Sequence, residues 1–294
     1  MDSAAVKESR QVLRKVQDHL YLAHENLGVQ RNTVGLVDVM LHPSSALPSL
    51  NYVTPRRNTA WVSGSMIEQG LTHMREANRI LRVRYIEGLY PPPFAKTLRE
   101  LGLQTEWELP LMVYLKDGFN RRPSVPVTLE TLPDGVTVEA VSDRRGVQVW
   151  LAVWRQAVYD VASLGVEPLY AGPDLSALKS GKQIDVLLTQ ADKTVGIARL
   201  SIQDDVGHLL AIALLKEVHA PELARLLQVA AVDAALKQGC TMVYASGEKD
   251  TDRQIARSLG FLDFGSIVGY VASQVESDEV RDDHILGQPV FALR

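Results

Sequence analysis

Residues 184–215 read IDVLLTQADKTVGIARLSIQDDVGHLLAIALL. This stretch contains three apolar segments of strand length, at 184–190, 195–202 and 208–215, which are separated by the polar sequences ADKT and QDDVG. Short polar turns between segments of this length are typical of antiparallel hairpins. The stretch therefore predicts three consecutive antiparallel strands of one sheet.

The flanking sequence predicts helices that cover this sheet. Pro221 suits the first position of a helix, and Gly239 suits its end. A strand at 241–245, a helix at 250–259 and a strand at 262–271 are predicted to follow, while a strand at 136–141 and helices at 147–161 and 173–178 precede the hairpins. The fold class is therefore α/β of the α+β kind, with a mixed, mainly antiparallel sheet flanked by helices.

The first half of the chain repeats part of this order. It predicts a helix at 4–27, a strand at 34–41, a helix that begins with the capping-box spacing of Ser65 and Glu68, a strand at 81–86, a helix at 93–101 and a strand at 107–115. In both halves a strand ending in Tyr, VRY at 83–85 and MVY at 242–244, leads through a short helix to Leu-Gly and an apolar residue. The shared order and spacing predict a duplicated domain whose first copy is shortened.

Charge changes sign between the two halves. Residues 1–124 hold 16 Lys and Arg against 12 Asp and Glu, whereas residues 125–294 hold 15 against 23. The change falls in residues 117–126, which contain one Gly and two Pro and have the composition of a linker. We therefore predict one domain at 1–124 and a second at 125–294.

Composition excludes several classes of protein. A hydrophobic content of 46%, with 22% charged residues and a net charge of −4, indicates a globular protein without a nucleic-acid or anionic-membrane partner. The single cysteine, Cys240, excludes an intramolecular disulfide and a Cys-rich zinc site. The longest apolar run, 209–215, is too short to span a membrane, and residues 1–5 show no secretory pattern. We expect a cytoplasmic protein; the sequence does not indicate its oligomeric state.

Two clusters of potential metal ligands are too small to predict a metal site. His219 and Glu222 have a helical i, i+3 spacing but lack a third ligand. Residues 282–284, Asp-Asp-His, lie in an acidic tail and are more typical of a solvated charge run. The sequence therefore predicts no bound metal.

The second half resembles the GCN5-related N-acetyltransferase (GNAT) fold. The resemblance covers residues 127–294 in element order and includes Leu-Gly-Phe at 259–261 and the junction GCTMVYA at 239–245. Residues 34–116 resemble a shortened copy, so the chain is similar to tandem GNAT proteins. The resemblance implies transfer of an acetyl or other acyl group from acyl-CoA, with acetyl-CoA as the cofactor, to an amine of an unknown acceptor. The alternative is a catalytically inactive GNAT-fold protein that binds a ligand or partner.

In GNAT enzymes, backbone amides at the start of the long helix hold the coenzyme A pyrophosphate, in a loop that contains glycine. The matching stretch here is VHAPELAR at 218–225, which contains no glycine. Pro221 removes one amide donor, and Glu222 places a negative charge where phosphate would bind. The usual phosphate cradle is therefore absent.

The resemblance still implies positions for the cofactor. Pantetheine is expected along the backbone at 215–218, so Leu215, Val218 and Leu223 are candidate cofactor-binding residues. In the first half, Gly64 and Ser65 at the start of a helix, with Arg56 and Arg57 upstream, form a second candidate anion site. The alternative there is an ordinary helix N-terminus with two solvated arginines.

The catalytic groups are less well defined. The tyrosine that protonates the departing thiolate in this family is replaced by Ala256, and by Leu98 in the first half. Tyr244 and Tyr270 are alternatives only if the fold brings them to the site. His208 and Glu217, near the two ends of the strand at 208–215, are the candidate bases; the alternative is that both are solvated polar residues.

Overall fold

The computed structural model describes residues 3–57, 59, 61–120, 122–129, 132–161, 175–218, 220–247 and 249–273. These residues form two compact units. Of the described residues, the first unit contains the chain up to Leu111 together with residues 264–273, and the second contains residues 112–263. Each unit combines a sheet with helices, so the predicted α+β class is confirmed.

The helices are α1 (Ser3–Asn26), α2 (Gly64–Glu76), α3 (Pro93–Glu100), α4 (Arg144–Tyr159), α5 (Leu175–Lys179), α6 (Pro221–Lys237) and α7 (Asp250–Ser258). The strands are β1 (Gln30–Val34), β2 (Val37–Leu41), β3 (Tyr52–Pro55), β4 (Arg82–Ile86), β5 (Leu103–Leu115), β6 (Val136–Ala140), β7 (Gln183–Gln190), β8 (Lys193–Gln203), β9 (Val206–Leu214), β10 (Met242–Ser246) and β11 (Leu262–Ala272).

The sheet of the second unit has the strand order β10-β9-β8-β7-β6, with the end of β5 beside β10. Strands β6 to β9 are antiparallel neighbours, which confirms the three strands predicted from residues 184–215. The next pair, β9 and β10, is parallel, because α6 connects them as a crossover. One parallel pair therefore interrupts an antiparallel sheet.

Helices cover both faces of this sheet. One apolar cluster contains Leu227 and Ala231 of α6 and Val243 of β10. The other contains Trp150 and Trp154 of α4. Complete burial of a side chain such as Leu227 contributes about 1.5–3 kcal/mol, so the two clusters fix the positions of α4 and α6 on opposite sides of the sheet.

The first unit has the order β1-β2-β3-β4-β11, with the first part of β5 beside β11. Strands β1, β2 and β3 are antiparallel, and β3 runs parallel to β4 with Val53 opposite Val83. Helix α2 connects this parallel pair. In both units, therefore, antiparallel strands are followed by one parallel pair.

Strand β11 lies in the first unit from Phe264 on, although its sequence follows the last helix of the second half. It pairs antiparallel with β4, with Ile267 opposite Ile86 and Tyr270 opposite Val83. The local pattern predicted this strand at 262–271 but not its neighbour. The predicted boundary near residue 124 separates the two copies of the fold, at 1–124 and 125–294, and is not the division between the two compact units. It stays a prediction.

The strand predicted at 34–41 is confirmed for 37–41, which is β2, but it begins too early, because Val34 ends β1 and the two strands form a hairpin. Gly35 has a φ of +57° in the turn, a conformation that favours glycine, and Val34 lies opposite Val37. Strand β1 is polar and largely exposed. It therefore lacks the apolar alternation by which a strand is predicted.

The capping box predicted at Ser65 and Glu68 is also wrong. Helix α2 begins at Gly64 with Ser63 as its N-cap residue, and the Ser63 side chain makes no capping hydrogen bond. Instead, the hydroxyls of Ser63 and Ser65 lie 2.9 Å apart, and Glu68 forms an ion pair with Arg75 at 3.6 Å. The helix starts two residues too early for Ser65 to cap it.

Candidate functional site

A β-bulge interrupts β9 at Leu210. Leu200 of β8 lies opposite Leu209, and the adjacent Arg199 lies opposite Ala211, so Leu210 is an extra residue on β9. The bulge exchanges the faces to which side chains point. Leu209 packs in the apolar cluster on the α6 side, whereas Ala211 and Ala213 pack on the α4 side.

A cleft opens between β9 and β10 directly after this bulge. Their parallel pairing covers only the positions from Met242 opposite Val206 to Tyr244 opposite His208. The walls of the cleft include residues 209–213 of β9, Ala224 and Gln228 of α6, residues 245–247 at the end of β10, and Asp252, Ile255 and Ala256 of α7. Its free volume is about 70 Å³, so the cleft is small.

One wall of the cleft is a backbone edge. The amide of Leu215 donates to the carbonyl of Val195 at 2.8 Å, which makes this a hydrogen-bonded pair of the β8–β9 ladder. Because such pairs alternate with non-hydrogen-bonded ones, the peptide groups of Ile212 and Leu214 point away from β8. A ligand with amide groups can pair with this edge as an added strand does.

Three polar side chains face the otherwise apolar cleft: Gln228, Ser246 and Asp252. The Ser246 hydroxyl is buried and has no hydrogen-bond partner among the described residues. Burial raises the pKa of the Asp252 carboxyl above its usual value of 3.8. Asp252 also lies one helical turn before Ala256, the position at which GNAT enzymes carry their tyrosine acid.

None of these three residues is among those predicted from the sequence. The sequence contains a signal for Asp252, because residues four apart share a helix face and Ala256 occupies the predicted position of the acid. No signal in the sequence places Gln228 or Ser246 in a cleft.

Replacing Asp252 with Asn is expected to stabilise the protein in a pH-dependent way. Below about pH 3.8 the carboxyl is protonated in both the folded and unfolded states, so the variant and the wild type should have similar melting temperatures. As the pH rises from 3.8 through the raised pKa of the folded state, the unfolded state ionises more readily and the wild type loses stability. The asparagine variant does not.

Thermal unfolding measured from pH 3 to pH 8 tests this expectation. Asp250→Asn is the control, because the side chain of Asp250 lies on the same helix and is 83% exposed. A melting-temperature difference for Asp252→Asn that does not grow with pH would contradict the buried position of this carboxyl.

The two predicted bases lie outside the cleft. His208 is buried, and its ring stacks on Tyr244 with centroids 4.2 Å apart. Glu217 is exposed and accepts a hydrogen bond from Lys193 at 2.9 Å, which lowers the pKa of its carboxyl. The two residues lie near opposite ends of β9 and are not brought together, so their catalytic roles stay predictions.

Of the residues considered for the acid, Ala256 lines the cleft and Tyr244 does not. The ring of Tyr270 lies in the first unit, 6.2 Å from that of Tyr85.

The residues predicted to bind the cofactor use their amides within the chain. Leu215 donates to Val195, and Val218 donates to the carbonyl of Leu215 at 2.9 Å. Leu223 is buried in the core, and its amide donates to the carbonyl of Ala220 at 2.9 Å. The open backbone edge lies at Ile212 and Leu214, next to these residues, and the roles of Leu215, Val218 and Leu223 in cofactor binding stay predictions.

The start of α6 has few amides to offer an anion. The amides of Leu223 and Ala224 both donate to the carbonyl of Ala220, and Pro221 has no amide hydrogen. Among the described residues of the first turn, this leaves the amide of Glu222, whose own carboxylate repels anions. His219 lies outside the described residues.

The candidate anion site of the first unit is better supplied with amides. Met66 and Ile67 donate to the carbonyl of Ser63 at 3.1 and 3.2 Å, so the amides of Gly64 and Ser65 have no acceptor among the described residues. Upstream of them, Arg56 is exposed, whereas Arg57 pairs with Asp18 of α1 at 2.8 Å. Asp18 therefore compensates the charge of Arg57, and of the two predicted arginines only Arg56 is left to attract an anion.

The described residues contain no group of three or more His, Cys, Asp or Glu side chains that could hold a metal ion. Residues 282–284 lie outside this part of the chain. No helix that the structure describes has the length and apolar content needed to cross a membrane.

The overall fold matches solved structures. A GCN5-related N-acetyltransferase from Kribbella flavida superposes with a TM-score of 0.69 at 18% identity, over 90% of this chain and 96% of that chain. The chain has the GNAT fold. A tandem GNAT protein from the clavulanic acid biosynthesis pathway matches over 94% of this chain and 97% of its own, with a TM-score of 0.58 and 12% identity.

A further GNAT structure, from Sphaerobacter thermophilus, has a TM-score of 0.57 at 9% identity and covers 80% of this chain and 76% of that chain. No protein-family model and no curated protein matches the sequence. The resemblance inferred from the sequence is thus confirmed at the level of the GNAT fold.

Proposed function

We propose that the second unit binds acyl-CoA in the cleft between β9 and β10 and transfers its acyl group to an amine of an acceptor. The cleft itself carries this proposal. The bulge at Leu210 separates the parallel pair and leaves a narrow, mainly apolar slot with a backbone edge along one wall. A reduced cytoplasmic setting, without a nucleic-acid or membrane partner, stays part of the proposal.

The two parts of the coenzyme would meet different surroundings. The pantetheine arm is an extended chain with two amides, which suits the backbone edge at Ile212 and Leu214. The pyrophosphate would lie near the start of α6, where Pro221 and Glu222 oppose anion binding. The residues present therefore fit the arm and do not fit the phosphates.

Bound acyl-CoA would supply an acyl group activated as a thioester. Of the chain's own residues, Asp252 is the titratable side chain that lines the cleft, and burial raises the pKa of its carboxyl, so it is the group placed to exchange a proton beside the departing thiolate. The Ser246 hydroxyl has an open hydrogen-bonding position in the same cleft. Asp252 thus takes the place of the tyrosine whose position is occupied by Ala256.

Calorimetric titration with acetyl-CoA, with pantetheine and with adenosine 3′,5′-bisphosphate tests the proposal. We expect pantetheine to account for most of the binding free energy of acetyl-CoA, because the cleft is present and the phosphate cradle is not. Release of free thiol in the presence of a panel of primary amines then tests transfer. The absence of both heat and thermal shift with acetyl-CoA would refute the proposal.

Changing Pro221→Ala and Glu222→Gln together is expected to improve acetyl-CoA binding. The double substitution restores one amide donor and removes one like charge, which is worth about 1 kcal/mol, or about fivefold in affinity. Pantetheine lacks the pyrophosphate, so its affinity should not change. An equal gain for both ligands would show that the phosphates do not lie at this helix end.

The second candidate is a GNAT-fold protein that binds a ligand or partner without catalysis. The observation that favours it is the use of the Leu223 and Ala224 amides within the chain, which leaves the start of α6 poorly suited to coenzyme A. Binding of acetyl-CoA without thiol release for any amine would support this candidate over the enzyme.

A further inference from the structure

Arg84 of β4 is a buried arginine with an unusual environment. It is 9% exposed, and its guanidinium carbon lies 5.3 Å from the ring centroid of Tyr52 and 5.6 Å from that of Trp107. Among the described residues its guanidinium has no hydrogen-bond or ion-pair partner. The aromatic contacts engage the guanidinium, while none of its N–H donors has an acceptor in the described chain.

The acidic side chains beside this site have other partners. Trp107 lies between Glu106 and Glu108 in the sequence, but Glu106 accepts a bidentate pair of hydrogen bonds from Arg82 at 2.9–3.0 Å. Glu108 accepts a hydrogen bond from Ser266 at 2.7 Å. The positive charge of the buried guanidinium therefore has no contacting counter-charge within the described residues.

A neighbouring histidine adds no second charge. The imidazole Nδ1 of His24 lies 2.7 Å from the Tyr52 hydroxyl. Burial, and after it the nearby Arg84, lowers the pKa of His24 well below its usual value of 6.5. The imidazole is neutral at pH 7, so His24 adds no positive charge beside the guanidinium. The buried Asp38 carboxylate, which also acts on Tyr52, accepts a hydrogen bond from Thr33 at 2.7 Å.

A glycine makes room for the Trp107 ring. Gly269 of β11 lies directly opposite Arg84 in the sheet, and a Cβ atom at this position would be 2.4 Å from Cε2 of Trp107. Any larger residue would displace the indole. The position of Trp107 beside the guanidinium therefore depends on glycine at 269.

We propose that Arg84, with Tyr52 and Trp107, forms a binding site for the carboxylate of a small organic acid in the first unit. A buried charge without a partner is costly, and a carboxylate removes this cost with two parallel hydrogen bonds to the guanidinium. A single positive charge matches a monoanion better than phosphate. The site lies apart from the acyl-CoA cleft and does not depend on it.

Calorimetric titration of the full chain with benzoate, benzamide and inorganic phosphate tests the site. We expect benzoate to bind saturably, with a Kd on the order of 1 mM, and to change the tryptophan fluorescence. Benzamide has the same shape without the charge and should not bind. Equal binding of benzamide, binding of phosphate in place of benzoate, or no saturable binding of benzoate would each overturn the proposal.

Substitutions separate the site from general charge effects. Arg84→Met should abolish benzoate binding, and Arg84→Lys, which keeps the charge but loses the planar fork, should weaken it at least about tenfold. Arg31→Met is the matched control, because Arg31 also stacks on a tyrosine ring, at 5.6 Å, but pairs with Glu25. Benzoate affinity unchanged in Arg84→Met, or lost equally in Arg31→Met, would refute the site.

Two further measurements keep the test decisive if a charge variant folds poorly. Without ligand, Arg84→Met should melt no lower than wild type, because it removes an uncompensated buried charge; a purely structural arginine predicts a lower melting temperature. Gly269→Ala retains the arginine but displaces the Trp107 ring, so it should weaken benzoate at least about tenfold. Unchanged benzoate affinity in Gly269→Ala would overturn the role of Trp107 in the site.

Discussion

Replacing Asp185 with alanine is expected to destabilise the second unit by about 3–5 kcal/mol. Asp185 of β7 and Arg199 of β8 lie opposite each other, and both side chains are almost fully buried. The guanidinium donates from Nε and Nη2 to the two carboxylate oxygens, each at 2.7 Å. It also lies 3.8 Å from the ring centroid of Trp150.

The size of this effect comes from the charge that remains. When one partner of a buried pair is removed, the other is left as a charge in an apolar surrounding, and its desolvation cost is no longer offset. Replacing both partners, as in Asp185→Leu with Arg199→Met, should recover most of the lost stability. Urea unfolding followed by tryptophan fluorescence measures both variants.

An exposed ion pair provides the control for the Asp185 variant. Lys193 and Glu217 are 2.9 Å apart and mostly solvent-exposed, so Glu217→Ala should leave the urea midpoint unchanged. A loss below about 1 kcal/mol for Asp185→Ala would contradict a buried, charge-compensating role for this carboxylate.

Replacing Ala224 with phenylalanine is expected to weaken acetyl-CoA binding at least about 100-fold, which corresponds to about 2.7 kcal/mol. Ala224 lies in the first turn of α6 and lines the cleft. The free volume there is about 70 Å³, so a phenyl ring from this position would fill the slot through which the pantetheine arm would pass. The core beneath α6 should be unaffected, because Ala224 is only half-buried.

Lys237→Phe, at the exposed end of the same helix, is the matched control and should bind acetyl-CoA as the wild type does. Calorimetry measures affinity, and thermal unfolding checks that each variant is folded. Wild-type affinity in Ala224→Phe would contradict coenzyme binding in this cleft. Loss of acetyl-CoA binding in Gly64→Glu in that case would place the coenzyme at the start of α2.

Much of the fold could be predicted because its signals are local. The start of α6 at Pro221 and the turns that separate β7, β8 and β9 depend on residues close together in the sequence. Strand β1 could not be predicted in this way, since its exposed polar residues show no apolar alternation. The neighbour of β11 could not be predicted either, because strand pairing depends on contacts between residues far apart in the chain.

The candidate site shows the same division between local and long-range signals. The sequence identified Ala256 as the altered acid position and Pro221 and Glu222 as unfavourable to phosphate. It did not show the bulge, because the continuous apolar run at 209–215 has no signal for an extra residue at Leu210. Asp252 and Ser246 were not predicted, because their side chains line a cleft that forms only when distant parts of the chain come together.

The sequence by itself determined the α+β class, the order of nearly all the elements and the resemblance to the GNAT fold. Hydrophobic periodicity, proline and glycine act over a few residues and are visible along the chain. Only the tertiary structure decided where β9 and β10 separate, which polar groups face the cleft and that Arg84 lies buried between Tyr52 and Trp107. These features depend on register, burial and unpaired charge, which exist only when distant strands lie side by side.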